Sequence, residues 1–249
     1  MKQFKFLTTI TIAVCMVLFL ASCGSGGDKK TDESATDTSA KTSTDTAAVT
    51  PPEPAPAAKP SNVLVIMHKV ANFAKWKVGY ESHDSVRRAY GLTNYVLGRG
   101  LNDSNMVLVA LKMADVNKAK ELTSSPGMKD KMKEAGVIGK PSFEYIDVVM
   151  SDTTVQQSAR VRVTHKVKDW DAWKKGFDDH KQARVDAGLI DRSVGYSDGD
   201  NHMVSLVFAI TDMQKANAFM KSKDLKDKME KAGVVGAPTI FFYNVVQKY

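Results

Sequence analysis

Residues 68–92 read HKVANFAKWKVGYESHDSVRRAYGL, and residues 165–189 read HKVKDWDAWKKGFDDHKQARVDAGL. The two stretches are offset by 97 residues, and the same offset relates Gly98 to Gly195 and Pro141 to Pro238. The match needs no gap between residues 63 and 149 of the first copy. A repeat of this length indicates that a whole domain has been duplicated, because solenoid repeats are much shorter.

Each copy predicts the element order βαββαβ. Asparagine or aspartate residues are placed to cap the helices, and glycines are placed to end them. In the first copy the predicted strands cover residues 63–70, 92–99, 105–113 and 143–149, and the second helix is interrupted near Ser125. Because two helices cover only one face of such a sheet, its other face needs a partner.

The run from His165 to Trp173, followed by His180, Arg184 and Gly188, resembles the dimeric α/β-barrel superfamily. More narrowly, it is similar to antibiotic-biosynthesis-monooxygenase-like bacterial proteins, over about residues 62–248. In that superfamily two ferredoxin-like units pair through their sheets and enclose a barrel. Relatives include oxygenases, isomerases and haem enzymes, so the resemblance implies a fold without fixing an activity.

The resemblance implies an α+β chain in which two tandem ferredoxin-like βαββαβ units form an intramolecular α/β barrel. The first unit would cover residues 61–150 and the second unit residues 158–249. We therefore expect a monomer that contains an internal pseudo-dimer.

Residues 1–22 have the pattern of an export signal: a positive start, then a mostly apolar run that is shorter than the ~18 residues of a spanning helix. The end of this run, Leu20-Ala21-Ser22-Cys23, resembles the lipobox of bacterial lipoproteins. That resemblance implies cleavage before Cys23 and its acylation with chains such as palmitate. We expect a lipid anchor in a bacterial cell envelope, with the outer membrane favoured in a Gram-negative cell. The alternative is an ordinary secretory signal.

Residues 23–60 are rich in Ser, Thr, Ala and Pro, which predicts a disordered linker. Because the only other cysteine, Cys15, lies in the signal, the folded part has no thiol for a disulfide, a metal or nucleophilic catalysis. The formal net charge of +7 favours an anionic ligand or surface, or else reflects solvated lysines. The predicted export argues against a nucleic-acid partner.

A helix stripe supplies the first candidate site. His83 and Arg87 share one face with Trp76 and Tyr80, and His180 and Arg184 repeat this pattern in the second copy. As a pocket, the histidines would transfer protons and the arginines would bind an anion. As a packed face, the histidine would be hydrogen-bonded and the arginine would lay its stem along the apolar surface.

The first strand of each copy supplies the second candidate site. His68 and His165 share the face of their strand that packs on the helices, whereas Arg162 and Thr164 point to the opposite face, inside the barrel. The counterpart of Arg162 is Val65, so the two halves of the lumen should differ. A buried arginine needs a ligand, a carboxylate or water.

Three functions remain open. The favoured one is a membrane-tethered barrel that binds a small anionic or aromatic molecule in its lumen. The others are a cofactor-independent oxygenase or isomerase using the same cavity, and a structural envelope protein with a filled barrel. The sequence has no legible metal cluster, phosphate loop or haem-ligand motif, so no metal or cofactor is expected, and catalytic residues stay unassigned.

Overall fold

A computed structural model describes residues 62–249 of the chain. The predicted export signal, Cys23 and the linker lie outside this range. Within it, no helix has both the length and the hydropathy that a membrane crossing requires.

Both units contain four strands and four short helices. In the first unit these are β1 (Val63–Val70), α1 (Phe73–Ser82), α2 (Asp84–Ala89), β2 (Leu92–Gly100), β3 (Met106–Met113), α3 (Val116–Ser124), α4 (Pro126–Glu134) and β4 (Val137–Ser151). In the second unit they are β5 (Ala159–Val167), α5 (Trp170–Asp179), α6 (Lys181–Asp186), β6 (Leu189–Ser197), β7 (Asp200–Ile210), α7 (Met213–Met220), α8 (Lys223–Lys231) and β8 (Val234–Lys248).

The first helix of each unit starts where the sequence predicts but is not continuous. Asn72 caps α1 by accepting a hydrogen bond from the Lys75 backbone amide. The single helix expected up to Gly91 is instead broken at His83. Here the His83 ring nitrogen Nδ1 lies 2.7 Å from the Gly79 carbonyl oxygen, so a side chain competes for a helical acceptor.

The last strands are longer than predicted, since β4 begins at Val137 rather than at residue 143. In the sequence, Gly139 and Pro141 are typical of a loop, and Gly139 has a φ of +74° in the structure. In the structure this segment continues the strand, and a register shift between Met67 and Lys69 of β1 accommodates it. A bulge therefore absorbs residues that would normally end a strand.

The eight strands close into one antiparallel barrel in the order β1-β3-β2-β8-β5-β7-β6-β4. Two seams join the units, where β2 pairs with β8 and β4 pairs with β6. The helices cover the outside of each half, and an apolar core lies between them and the sheet. The sheet faces that needed a partner thus cover each other across the lumen.

Candidate functional site

His68 and His165 face the helices, as the strand alternation predicts, and each is nearly fully buried. Their exposed fractions are 4% and 6%, and neither ring nitrogen of either residue has a hydrogen-bond partner in the part of the chain that the structure describes. Burial lowers the pKa of both imidazoles to about 4. The ring centroids of Trp76 and Trp173 lie 5.2 and 5.6 Å away, so each imidazole is neutral and lies against an indole.

The predicted helix stripe packs above these histidines. In the first unit the Arg87 guanidinium lies 3.9 Å from the centroid of the Tyr80 ring. Its Nη1 donates to the Tyr80 carbonyl oxygen at 2.6 Å, and its Nε donates to Asn94 Oδ1 at 3.0 Å. These contacts match the packed-face reading for Arg87.

A cavity lies between the helices and the sheet in each unit. The first has a volume of about 360 Å³, and His68, Trp76, His83 and Arg87 are among its lining residues. The second has a volume of about 110 Å³ and is lined by the matching residues, His165, Trp173, His180 and Arg184. The structure therefore brings three of the predicted candidates in each unit around one cavity, outside the barrel.

The two cavities differ in polarity because the repeat has diverged at a residue that contacts the arginine. In the second unit Arg184 makes a two-pronged ion pair with Asp191, at 2.8 and 2.7 Å. In the first unit Asn94 replaces that aspartate, and Arg87 Nη2 has no hydrogen-bond partner among the described residues. The nearest carboxylate oxygen to that atom belongs to Asp84, 3.6 Å away.

The remaining histidines of the stripe have local partners. His180 Nε2 lies 3.3 Å from Asp224 Oδ2 at the rim of the second cavity. The His83 ring approaches the Gly79 carbonyl oxygen, as described above. A metal ion is not suggested by either site, since no group of three His, Cys, Asp or Glu side chains within residues 62–249 is arranged to hold one.

Arg162 points into the lumen, where its partner is a carboxylate of the other unit. Its Nη2 donates to Glu144 Oε2 at 2.6 Å and to Ser205 Oγ at 3.2 Å, and its Nη1 donates to Glu144 Oε1 at 3.1 Å. Thr164 is half-buried and follows on the same face of β5. Around them the lumen is packed with apolar side chains of both units: Val65, Leu108, Ala110, Ile146, Val148 and Tyr243.

The sequence therefore indicated Arg162 but not its partner. It also placed the ligand in the lumen, whereas the two cavities described above lie outside the barrel. Sequence reasoning passed over Glu144, Arg160 and Arg192. Their signal was available in the repeat, since the residues 97 positions away are Phe241, Val63 and Tyr95. A charged residue whose equivalent in the other copy is uncharged marks a position where the two halves have diverged.

Comparisons with known proteins give similarity in fold only. No protein-family model matches the sequence, and no curated protein matches it at a significant level. An anthrone oxidase-like protein superposes with a TM-score of 0.54 at 13% identity, over 78% of this chain and 94% of its own. A protein provisionally named a chlorite dismutase gives 0.50 at 12% identity, over 75% and 96% of the two chains.

A third structure, from Fusobacterium nucleatum and provisionally named a monooxygenase, gives a TM-score of 0.49 at 14% identity, over 75% of this chain and 93% of its own. Identities this low say nothing about substrate. The likeness to the first two structures is one of fold and agrees with the strand order. The chain has the α/β-barrel fold that the sequence predicts, with both halves of the barrel on one polypeptide.

Proposed function

We propose that this chain is a lipid-anchored envelope protein that binds a small, largely apolar molecule carrying one hydrogen-bonding group. The site is the cavity of the first unit, between the helices and the sheet. The observation that carries the proposal is the His68 imidazole, which lines this cavity with both ring nitrogens unpartnered among the described residues. Burying such a group without a partner costs about 1–3 kcal/mol, which a ligand hydroxyl or carbonyl would offset.

The first unit is favoured over the second by size and by chemistry. Small-molecule sites occupy roughly 300–1,000 Å³, a range that includes the first cavity, at about 360 Å³, and excludes the second, at about 110 Å³. Arg87, which lines the first cavity, has an Nη2 without a partner among the described residues, whereas the equivalent nitrogen of Arg184 bonds to Asp191. Trp76 and Tyr80 supply aromatic walls.

A suitable probe for this cavity is 1-naphthol, which joins an apolar aromatic body to one hydroxyl. We expect it to bind the wild-type chain and to bind His68→Leu roughly tenfold more weakly, since one hydrogen bond is lost. Titration calorimetry measures both affinities. Shifts of the His68 ring nitrogens in ¹⁵N spectra would place the hydroxyl.

His165→Leu is the matched control, because it removes the equivalent imidazole beside a cavity that is too small. It should leave the affinity for 1-naphthol unchanged. Naphthalene, which lacks the hydroxyl, should not discriminate between wild type and His68→Leu. Equal loss of 1-naphthol binding in the two histidine variants would refute a site specific to the first unit.

An enzyme is the second candidate, and the neutral imidazole in an apolar cavity is the observation that favours it. A cofactor-free oxygenase needs a group that accepts a proton from an activated substrate, and the similar anthrone oxidase-like structure shows that the fold occurs in a protein so described. Such a reaction would turn a ring CH₂ group and O₂ into a carbonyl and water. Oxygen uptake with anthrone, present in wild type and absent in His68→Leu, would establish it. The absence of uptake alongside retained binding would leave the binding function.

Anchoring is a separate part of the proposal and rests on Leu20-Ala21-Ser22-Cys23. Two or more acyl chains hold a protein stably on a membrane, so Cys23→Ala should release the chain or leave it unprocessed. Metabolic labelling with a palmitate analogue measures this directly. A wild-type chain that takes up no label would contradict the anchor while leaving the ligand site untouched.

A further inference from the structure

One end of the barrel lumen carries two arginines without carboxylate partners. Arg160 is 2% exposed, and it precedes Arg162 on the lumen face of β5. Within the described residues, the arginines that pair with a carboxylate are Arg87, Arg88, Arg162 and Arg184. Arg160 and Arg192 are not among them.

The hydrogen bonds of Arg160 are incomplete. Its Nη2 donates to the Val155 carbonyl oxygen at 3.1 Å, but its buried Nη1 has no partner within residues 62–249. Guanidinium groups have five donors and are charged at any ordinary pH, so a buried one without an anion is unfavourable. Burial first, and then the nearby charge of Arg192, lower the pKa of Arg160.

Arg192 stands on β6, which is separated from the β5 strand of Arg160 only by β7. It donates to the hydroxyl of Tyr95, which stands on β2 across the barrel, and to Ser151 Oγ at 2.8 Å. Asp152 is the acid close by, and its carboxylate accepts from the backbone and hydroxyl of Thr154, at 2.8 and 2.6 Å. Asp152 is close enough to Arg192 for this charge to lower the pKa of its carboxyl group, but among the described residues neither arginine forms a salt bridge with a carboxylate.

The positive charge at this end is specific to the second unit. The counterpart of Arg160 is Val63 and the counterpart of Arg192 is Tyr95, so the repeat itself does not require a cation at either position. Tyr243, whose pKa burial raises to about 12, lies close enough to feel both arginines. Two guanidinium groups that form no salt bridge among the described residues, one of them buried, attract an anion.

We propose that a small oxyanion, a free carboxylate or phosphate, binds at this end of the lumen between Arg160 and Arg192. Arg160 Nη1 is the donor without a partner among the described residues, and hydrogen bonds from a guanidinium to an oxyanion are among the strong ones. The anion is small and free rather than part of a lipid headgroup, because the Val155 segment covers Arg160. This site is distinct from the outer cavity of the proposed function.

Inorganic phosphate and acetate are the probes, each titrated into the full chain at constant ionic strength maintained with chloride. Binding stabilises the folded state, so Tm should rise and saturate with one of these anions. Arg160→Val, which installs the residue of the first unit, should abolish the rise and should unfold at the same temperature as the unliganded wild type or higher. Arg192→Tyr, which also copies the first unit, should weaken the response at least tenfold.

Lys166→Ala is the control, since this exposed lysine lies on the same face of β5 at the opposite end. It should respond like wild type. The proposal is overturned if neither anion stabilises the wild type more than chloride does, or if the response persists in Arg160→Val and Arg192→Tyr. It is also overturned if Lys166→Ala loses the response equally, which would indicate a general effect of surface charge.

Discussion

The imidazoles of His68 and His165 sit at the same place in the two units, and both remain polar inside an apolar core. Each contacts a tryptophan, and such aromatic contacts contribute about 0.5–1.5 kcal/mol. Leaving two nitrogens without partners costs more than this. Retaining a histidine in both copies therefore sacrifices stability, as binding sites often do.

The depressed pKa of these residues predicts a pH dependence of stability. The unfolded chain takes up a proton on each histidine below about pH 6.5, whereas the folded chain does so only near pH 4. The contribution of each neutral histidine to the free energy of unfolding is therefore fully present above pH 6.5. It is lost as the pH drops toward 4, by about 3 kcal/mol per histidine. Urea unfolding at a series of pH values measures this slope.

The double variant His68→Leu, His165→Leu should lose most of the slope between pH 6.5 and 4. His202→Gln serves as control, since this residue is exposed, and it should retain the slope. If the double variant keeps the wild-type slope, the two imidazoles are not held neutral in the folded protein.

Arg162 and Glu144 form an ion pair between the two units, whereas their counterparts are the apolar pair Val65 and Phe241. Arg162→Val alone should lower the free energy of unfolding by about 2 kcal/mol, because Glu144 loses its partner while 31% of its side chain is exposed. The double variant Arg162→Val, Glu144→Phe copies the other half and should recover most of that loss. A double-mutant cycle by urea unfolding gives the coupling, and strictly additive effects would exclude it.

At the scale of elements, glycines make the two seams possible. A Cβ atom on Gly195 of β6 would lie 2.4 Å from the carbonyl oxygen of Asp147 on β4. A Cβ atom on Gly98 of β2 would lie 2.4 Å from Cδ2 of Tyr243 on β8. The repeat thus retains glycine at the positions where the halves pack most closely.

Gly195→Ala should destabilise the barrel by about 2–3 kcal/mol, since the atom it meets belongs to the backbone and cannot rotate away. Gly79→Ala is the matched control in the interior of α1, where the nearest atom would be 3.6 Å away. It should stabilise by up to about 1 kcal/mol through helix propensity. Thermal unfolding compares the two, and a neutral Gly195→Ala would contradict the tight seam.

Strand and helix positions followed well from the sequence, because periodicity and capping are local properties. The first strand lies at Val63–Val70 as predicted, and Asp115 caps α3. The early start of β4 could not be predicted, because glycine and proline at positions 139 and 141 are typical of loops. Pairing with β1 across a bulge keeps this segment in the strand. The break at His83 did not follow from the spacing either, and the second unit breaks its helix at the equivalent His180.

The candidate site was predictable in its residues but not in its location. Helical spacing placed His83 and Arg87 on one helix face, and strand alternation placed His68 on the strand face that packs on the helices. The sequence treated them as two separate sites, whereas in the structure all three line one cavity. Whether space remains between these surfaces depends on side-chain volumes across elements, which no local pattern encodes. Arg162 was predictable through its mismatch with Val65, and the same comparison applied to Phe241 would have indicated Glu144.

At the scale of the whole molecule, the lumen charges of the two units are complementary. The second unit contributes Arg160, Arg162 and Arg192, and the first contributes Glu144. A barrel made from two copies of the second unit would contain these arginines twice, with Phe241 in place of each Glu144. Such a homodimer would bury unpaired cations, which is strongly unfavourable.

The two units, produced separately, should therefore form a heterodimer in preference to homodimers. Produced as fragments 61–150 and 158–249, each leaves one sheet face and two seam edges bare, so neither should persist as a soluble monomer. We expect the mixture to form a 1:1 heterodimer in preference to either homodimer, as measured by native mass spectrometry. Phe241→Glu in the second fragment supplies the missing carboxylate and should raise its own tendency to dimerise. A stable monomer of fragment 158–249 in sedimentation, or a statistical mixture of all dimers, would show that the lumen charges do not direct the pairing.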